Sequence, residues 1–261
     1  MNSKDNLIFA IVIALLIISS YNIGIDPAKF IDGLPNLAVV VREMAQIDLS
    51  LLNVALLSML ETIQMAFIGT IVGFGLSLPL SLLAARNVVN SKFIYGPIRA
   101  ILAGIRILPS ILWAIFFVII VGLGPFAGIL AIVLYTIGFI TKLQYESLES
   151  IEHDSMDAIG STGVSKIQLI RFVVIPQAAP HLISQLLYMF DYNVRQSSIL
   201  GVVGAGGIGF YIINYIKFFD YGKAAVFILV VFVVALMIDY VSVKVRDRYI
   251  AKTHKGVSVR S

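Results

Sequence analysis

The segment from Asp157 to Pro176, DAIGSTGVSKIQLIRFVVIP, decides the fold of this chain. It lies between two apolar stretches that are each long enough to cross a membrane. A water-facing loop between membrane helices is expected to be short and polar, whereas this one is long and half apolar, with Gly163 at a turn and Pro176 at its exit. Apolar side chains on an exposed segment indicate a surface on which another protein docks.

The local pattern predicts two short helices set at an angle. We expect the first near Ser155–Ser161, a turn at Thr162 and Gly163, and a second helix from Lys166 to Val174 that Pro176 ends. The alternative is an ordinary pair of surface helices without a docking partner.

The composition around this segment is that of an integral membrane protein. The chain has 261 residues, of which 59% are hydrophobic and 13% charged, and its mean hydropathy is +0.96. Soluble domains are about 45–50% apolar and about 25% charged. Because a spanning segment must satisfy its own backbone, stretches of about 20 apolar residues predict helices. The sequence therefore predicts an all-α polytopic membrane protein with about six spans, at 7–25, 60–84, 99–121, 124–141, 181–203 and 223–243.

Three parts of the chain are distinguished. They are an anchor helix with an outer amphipathic segment (1–59), a transmembrane domain (60–243) whose cytoplasmic loop is 142–180, and a basic tail (244–261). The first span is expected to remain as an anchor, since no small-x-small cleavage site follows it. Pro79 and Pro109 lie inside predicted spans and are expected to kink them. The absence of cysteine excludes disulfides and cysteine-ligated zinc.

The basic residues predict the orientation of the chain. With a cytoplasmic N-terminus, Arg106 and Arg195 lie within spans, and the basic residues left outside are Lys29, Arg42, Lys217 and Lys223. All other Lys and Arg then lie inside, in accord with the positive-inside rule. We therefore expect both termini and the Asp157–Pro176 segment to be cytoplasmic. The tail is interpreted as a topology determinant that contacts lipid headgroups, and no nucleic-acid partner is expected.

The spacing of the Asp157–Pro176 segment resembles the E-A-A-x3-G-x9-I-x-L-P loop of the membrane subunits of binding-protein-dependent ABC importers. Ala158, Gly163 and Pro176 match outright, and the replacements are Asp157, Ile159, Val173 and Ile175. Further stretches, in order, resemble the permease of phosphonate-type ABC importers. These are Ala84-Ala85-Arg86-Asn87, Arg106-Ile107-Leu108-Pro109, Val121–Gly128, Asn193-Val194-Arg195 and Leu200–Gly209, within about residues 60 to 243.

The resemblance implies a type I, methionine-permease-like fold and a function in transport rather than catalysis. It implies a second copy of the chain, two ATP-binding subunits on the cytoplasmic side, a substrate-binding protein outside, and a bacterial inner membrane. The partner would bind ATP and Mg²⁺, and this chain would carry no cofactor; it has no G-x-x-x-x-G-K-[ST] phosphate loop. Asp157, Ala158, Gly163 and Pro176 would form the surface that couples to the ATPase.

Several polar residues within the predicted spans are candidates for the substrate path. A charge in a span is costly unless it faces water or a partner. Asp191 and Arg195 share one helix face, so they form either a packing pair or part of an anion path. Arg106 either snorkels to the interface or lines the path. Asn193 and Ser110 are assigned to the same path, and Ser110 stands where the phosphonate family usually carries an acid, which leaves phosphonate, phosphite, phosphate or another oxyanion open.

The glycine-rich stretch after the fifth span fits a dinucleotide pattern, but no βαβ unit surrounds it. It contains Gly204, Gly206, Gly207 and Gly209, which permit positive φ and close packing. We predict a flexible outer gate or docking loop, with a plain turn as the alternative.

Rival functions remain open at this point. One is an ABC permease for another small solute, such as an amino acid or betaine. Others are a secondary carrier, for which no matched broken helices are visible, and a lipid-phosphate membrane enzyme. The acidic cluster is interpreted as a solvated face, and no metal site is expected; it comprises Glu146, Glu149, Glu152 and Asp154, with His153 among them.

Overall fold

The computed structural model describes residues 3–151 and 164–257, which form helices without any β-strand. The chain divides into two compact units, Met1–Gln46 and Ile47–Ser261. The first unit holds α1 (Ser3–Ile23) and α2 (Pro27–Met44). Asp26 caps α2 because its Oδ1 accepts the N–H of Ala28 at 3.0 Å.

The second unit holds eight described helices. They are α3 (Leu52–Ala84), α4 (Lys92–Ile107), α5 (Ser110–Val121), α6 (Pro125–Glu149), α7 (Lys166–Leu169), α8 (Ile175–Leu200), α9 (Ile208–Lys217) and α10 (Tyr221–Val257). A 3-10 turn, Leu49–Leu51, leads into α3. Its cap is Asp48, and hydrogen bonds from Ser50 lower the pKa of this carboxyl below its ordinary value.

The prediction of about six spans is confirmed. Within the described residues, five helical stretches are long and apolar enough to cross a membrane, and α4 with α5 makes a sixth if the bent pair is one span. They lie in α1, α3, α6, the α7–α8 stretch and α10.

The predicted span 99–121 is broken rather than kinked at Pro109. The axes of α4 and α5 differ by 89°. Leu108 is extended, with φ −87° and ψ 128°, because the ring of a following proline excludes the helical conformation. Pro79, by contrast, lies inside the continuous helix α3.

The prediction that Pro176 ends a helix is wrong. Pro176 lies in the first turn of α8, and a π-helical turn, Ile170–Val174, joins α7 to α8, so the helix continues from Lys166 to Leu200. A proline in a first turn removes an N–H that needs no partner there. The wider π turn changes the hydrogen-bond register just before the ring. Asp157, Ala158 and Gly163, and the helix predicted near them, lie outside the described residues.

Small residues allow the close packing of α3 against α6. A Cβ on Gly69 would lie 2.4 Å from Ile132, and one on Gly73 would lie 2.6 Å from Thr136. Backbones approach this closely in membrane proteins only where side chains are small. The pair forms the centre of the bundle against which α8 is placed.

Candidate functional site

Asn193 on α8 lies at the centre of the bundle. Its side chain is buried, with 1% exposed, and its Nδ2 donates to Oγ1 of Thr70 at 2.8 Å and of Thr136 at 3.0 Å. These two bonds connect α8 to α3 and to α6. Of the predicted path residues, Asn193 therefore faces the interior of this chain and holds three helices together.

An ion pair joins Asp191 and Arg195, which lie about one helical turn apart on α8. Arg195 Nη2 donates to Asp191 Oδ2, and the side chains are 51% and 7% exposed, respectively. The geometry contains the ion pair, and the assignment of the two residues to an anion path stays a prediction. The carboxylate is buried and anchors the arginine, while the guanidinium, with donors to spare, remains presented at the surface of the chain.

Arg195 belongs to a polar stripe along one face of α8. Positions i, i+4, i+7, i+8 and i+11 share a helix face, and here they are Tyr188, Tyr192, Arg195, Gln196 and Ile199. Tyr188, Arg195 and Ile199 are exposed, whereas Tyr192 and Gln196 are half-buried. We call these residues the α8 stripe.

A ladder of hydrogen bonds runs beside the α8 stripe. Ser110 Oγ, at the start of α5, donates to Gln196 Oε1 at 3.0 Å, and Gln196 Nε2 donates to Tyr192 Oη at 2.9 Å. Tyr192 Oη and Tyr135 Oη of α6 are 3.1 Å apart. The rings of Tyr135 and Tyr192 are stacked with centroids 5.8 Å apart.

The sequence prediction found Ser110 but missed Tyr135, Tyr192 and Gln196. Tyrosine is common at membrane interfaces, so its presence alone does not indicate a site. The available signal was a row of polar residues on one helix face, where Tyr188, Tyr192 and Gln196 are spaced to lie with Arg195.

Arg106 lies apart from this arrangement, in the last turn of α4 next to the bend. Its Nε donates to the carbonyl of Leu102 at 3.4 Å, and its stem packs against Gly138 of α6. Trp113 Nε1 reaches back across the bend to the carbonyl of Ile105 at 3.1 Å. The geometry thus fixes the bend but gives Arg106 no hydrogen bond to the α8 stripe among the described residues.

The glycine-rich loop packs against α3 and the first residue of α6. Gly204, Gly206 and Gly207 have φ of 79°, 82° and 75°, which only glycine adopts readily. A Cβ on Gly209 would lie 1.7 Å from the carbonyl oxygen of Ser198. The hypothesis of an outer gate or docking loop stays a prediction, but these contacts leave the loop little free space.

Glu61, in the first half of α3, holds this loop. Its Oε1 accepts the N–H of Gly207 at 2.9 Å, and Thr62 Oγ1 accepts that of Ile208 at 2.8 Å. The carboxylate therefore lies at the N-terminus of α9, where unpaired N–H groups favour a negative charge. The sequence pattern did not predict this contact of Glu61.

At the opposite end of α3, side chains cap the last carbonyls of two helices. Arg99 of α4 donates from Nε and Nη2 to the carbonyl of Ala84 at 2.9 and 2.7 Å. Asn87, in the α3–α4 turn, donates from Nδ2 to the carbonyl of Leu148 at 2.7 Å. Carbonyls at helix C-termini lack partners within the helix, so each contact satisfies one.

Glu149, the last residue of α6, completes this arrangement. It pairs with Arg99, and its Oε1 accepts the N–H of Arg86 at 2.7 Å. The guanidinium of Arg99 also lies 4.1 Å from the ring centroid of Tyr145. The prediction of a solvated acidic face is therefore wrong for Glu149. Glu152, His153 and Asp154 lie outside the described residues, and the described ones hold no group of three or more potential metal ligands.

An apolar cavity of about 260 Å³ lies between α3, α6 and α8. Phe74, Leu78 and Leu186 line it, and Ser81 is its polar exception. Since an anion needs donors or positive charge, this cavity does not suit a small oxyanion.

Comparison with known proteins assigns the chain to a family. Residues 77–249 match the family described as binding-protein-dependent transport system inner membrane component. The chain is 39% identical over 236 residues to the putative phosphite transport system permease protein HtxC of Stutzerimonas stutzeri, covering 90% of this chain and 84% of that protein. It is 29% identical over 241 residues to the phosphite transport system permease protein PtxC of the same organism, covering 92% and 88%.

A third relative is a longer protein. The phosphate-import permease protein PhnE of Mycolicibacterium smegmatis is 37% identical over 190 residues, which are 73% of this chain but 36% of that protein. Among solved structures, an inward-facing conformation of the MetNI methionine ABC transporter has a TM-score of 0.69 at 24% identity, covering 78% of this chain and 99% of that one.

These similarities agree with the helical architecture described above. The methionine-permease-like fold is confirmed by the structural neighbour, and the relatives are transport permeases rather than enzymes. The chain is a multi-pass membrane protein and belongs to the family of binding-protein-dependent transport system inner membrane components, the permeases of ABC importers.

Proposed function

We propose that this permease carries phosphonate or a related small phosphorus oxyanion, such as phosphite or phosphate, into the cytoplasm by alternating access. One observation carries the substrate class. Arg195 is half-exposed within the candidate span Ile167–Val203, near the C-terminal end of α8, while the acid that anchors it is buried. A cation at that depth requires an anionic or aqueous environment. The substrates in the names of the relatives point to the same class.

The stripe suits the rival substrates less well. An amino acid or betaine needs a surface for its ammonium group, and the nearest carboxylate, Asp191, is buried and engaged. Aromatic cages bind quaternary ammonium groups with ring faces turned toward one centre. Here the rings of Tyr135, Phe139 and Tyr192 are stacked at 4° to 16° to one another, so their faces lie against each other.

Coupling to ATP is assigned to the segment before α8. In this proposal two ATP-binding subunits, which hold ATP and Mg²⁺, contact Asp157, Ala158 and Gly163 from the cytoplasm. The continuous helix from Lys166 through Pro176 to Leu200 supports it, because a displacement near residue 166 is carried along one rigid rod. From residue 166 to Arg195 this rod is about 44 Å long. ATP binding in the partner would then shift the population of two pore states.

The remaining partners follow from the same proposal. A second copy of the chain completes the pore, a substrate-binding protein docks outside, and both termini are cytoplasmic. The predicted division into an anchor segment (1–59), a transmembrane domain (60–243) and a basic tail (244–261) is kept as part of this proposal. Co-expression of two differently tagged copies tests the homodimer. Recovery of one tag with the other supports it, whereas pairing only with a different permease excludes it.

The substrate assignment is tested in proteoliposomes that contain the permease, its ATPase and its binding protein. ATP hydrolysis and uptake should rise with a phosphonate, phosphite or phosphate. Arg195→Ala should lower uptake while the affinity of the binding protein for its ligand is unchanged. Lys217→Ala, a change at an exposed lysine on α9, is the control. Uptake that is equal for Arg195→Ala and wild type would remove Arg195 from the path, and stimulation only by an amino acid or betaine would refute the substrate class.

A further inference from the structure

We propose that Tyr135, Tyr192 and Gln196 form, together with Arg195, a weak oxyanion-contact site within the permease itself. This inference rests on the proposed function and extends it, because it assigns neutral hydrogen-bond donors as well as the cation. The site comprises parts of α6 and α8 and is held in place by Ser110 of α5.

The polar residues of the α8 stripe argue against contact with lipid. Acyl chains offer no hydrogen bonds, so helix faces in contact with them are apolar. The exposed face of α10 fits this rule, with Phe232, Leu236 and Met237. The α8 stripe instead presents Arg195 and Tyr188 together with a single exposed aliphatic residue, Ile199. Polar groups at this depth face a partner chain or a water-filled passage, and an importer contains both.

Counting donors and acceptors defines the ligand. The hydroxyls of Tyr135 and Tyr192 supply two hydrogens, and one bond joins them, so one phenolic hydrogen is left over. Gln196 uses one of its two amide hydrogens, toward Tyr192, and its oxygen accepts from Ser110. Among the described residues, the site therefore has unused donors beside a guanidinium. An acceptor-only group such as a phosphorus oxyanion complements such a site.

The same geometry keeps the site weak. Asp191 neutralises part of the charge on Arg195, and the other contacts are neutral. A neutral hydrogen bond contributes little net free energy, so its loss changes a binding constant by about 3- to 10-fold. Weak contact suits a passage from which the substrate must leave, while tight binding belongs to the binding protein.

The first test removes the two phenolic hydroxyls and keeps their rings. Tyr135→Phe with Tyr192→Phe should lower oxyanion uptake per ATP hydrolysed by about 3- to 10-fold in the complete reconstituted importer. ATPase stimulation by the loaded binding protein should remain, because the variant lies away from the predicted coupling segment. Tyr211→Phe is the matched control, since Tyr211 is a half-buried tyrosine stacked on Phe227 at 5.3 Å.

The second test introduces a charge, so that its outcome does not depend on packing alone. Gln196→Glu should repel an anion, and because salt screens such repulsion, the defect in uptake should shrink as ionic strength rises. A defect that is independent of salt would indicate damaged packing and would count against the site.

The outcomes separate the two proposals. If wild type transports a phosphorus oxyanion and Arg195→Ala impairs it, but the double tyrosine variant behaves as Tyr211→Phe does, the proposed function stands and the hydroxyl site is refuted. If wild type transports none of phosphonate, phosphite and phosphate, the proposed function fails and the site fails with it.

Discussion

Replacing Glu149 by alanine removes the acceptor that joins three segments at one end of the bundle. In the structure its carboxylate binds the guanidinium of Arg99 and the N–H of Arg86. The side chains of Arg99 and Glu149 are 18% and 25% exposed, so water replaces these contacts only in part. In the variant, Arg99 still has the carbonyl of Ala84 and the ring of Tyr145. The loss is therefore confined to the two contacts of the Glu149 carboxylate, with Arg99 and with the N–H of Arg86.

The size of the loss follows from the degree of burial. A hydrogen bond to a charged group contributes about 1.5–3 kcal/mol, whereas an exposed ion pair contributes about 0–1 kcal/mol. Each of the two contacts of Glu149 lies between these cases, at about 1–1.5 kcal/mol, so we expect its replacement by alanine to cost roughly 2–3 kcal/mol. Glu149→Gln keeps an acceptor oxygen and should cost about half as much.

The chain offers a matched control one turn earlier on α6. Glu146 pairs with Lys142 at 3.6 Å, and these side chains are 49% and 41% exposed. Its replacement by alanine should cost less than about 0.5 kcal/mol. In purified protein, Glu149→Ala should lower the apparent Tm by roughly 5–10 °C, and Glu146→Ala by less than about 2 °C. Equal Tm values for the two variants would refute the interpretation of Glu149 as an interhelical cap.

Three further predictions use other parts of the chain. Gly163→Asp should abolish co-purification with the ATPase while the permease remains inserted, and retained ATP-coupled uptake would contradict this. Gly209→Ala should lower the yield of monodisperse protein, since the new Cβ lies 1.7 Å from a carbonyl oxygen, whereas Gly104→Ala, with nothing within 4 Å, should not. The orientation can be tested with single cysteines, because the chain has none. Lys217→Cys should react with an impermeant maleimide in intact cells, and Lys92→Cys should not. The reverse pattern would place the coupling segment on the outer side, away from cytoplasmic ATP.

The number and type of helices could be predicted because hydropathy depends on local composition. Two prolines show the limit of prediction from hydropathy. Pro109 and Pro176 both interrupt a helical pattern, yet the first breaks a span and the second lies within a continuous helix. The difference depends on the residue before the ring in one case and on a π turn in the other. The spacing of apolar residues predicts neither the break at Pro109 nor the π turn before Pro176.

The side-chain contacts of the site depend on residues far apart in the chain. Glu61 and Gly207 are 146 positions apart, and Arg99 and Glu149 are 50 apart. Local patterns carry no information about such pairs. A charged residue within or at the end of an apolar span is nevertheless a usable signal, because its burial requires a partner. Applied to Glu61 and Arg99, this rule predicts that each has a partner but not which one.

The positions of Asn193 and Arg195 on one helix constrain how this permease moves. Asn193 binds α3 and α6 at once, so α8 cannot slide along them without breaking two buried hydrogen bonds. A displacement that enters α8 from its N-terminal end is therefore expected to move α3, α6 and α8 as one body, which is a rigid-body rather than a sliding transition. Arg195, two residues further on, then moves with this body: its surroundings change, but its position within the body does not. In the proposed dimer, alternating access would accordingly arise where the exposed α8 stripe meets the second copy of the chain, and not within the packed bundle.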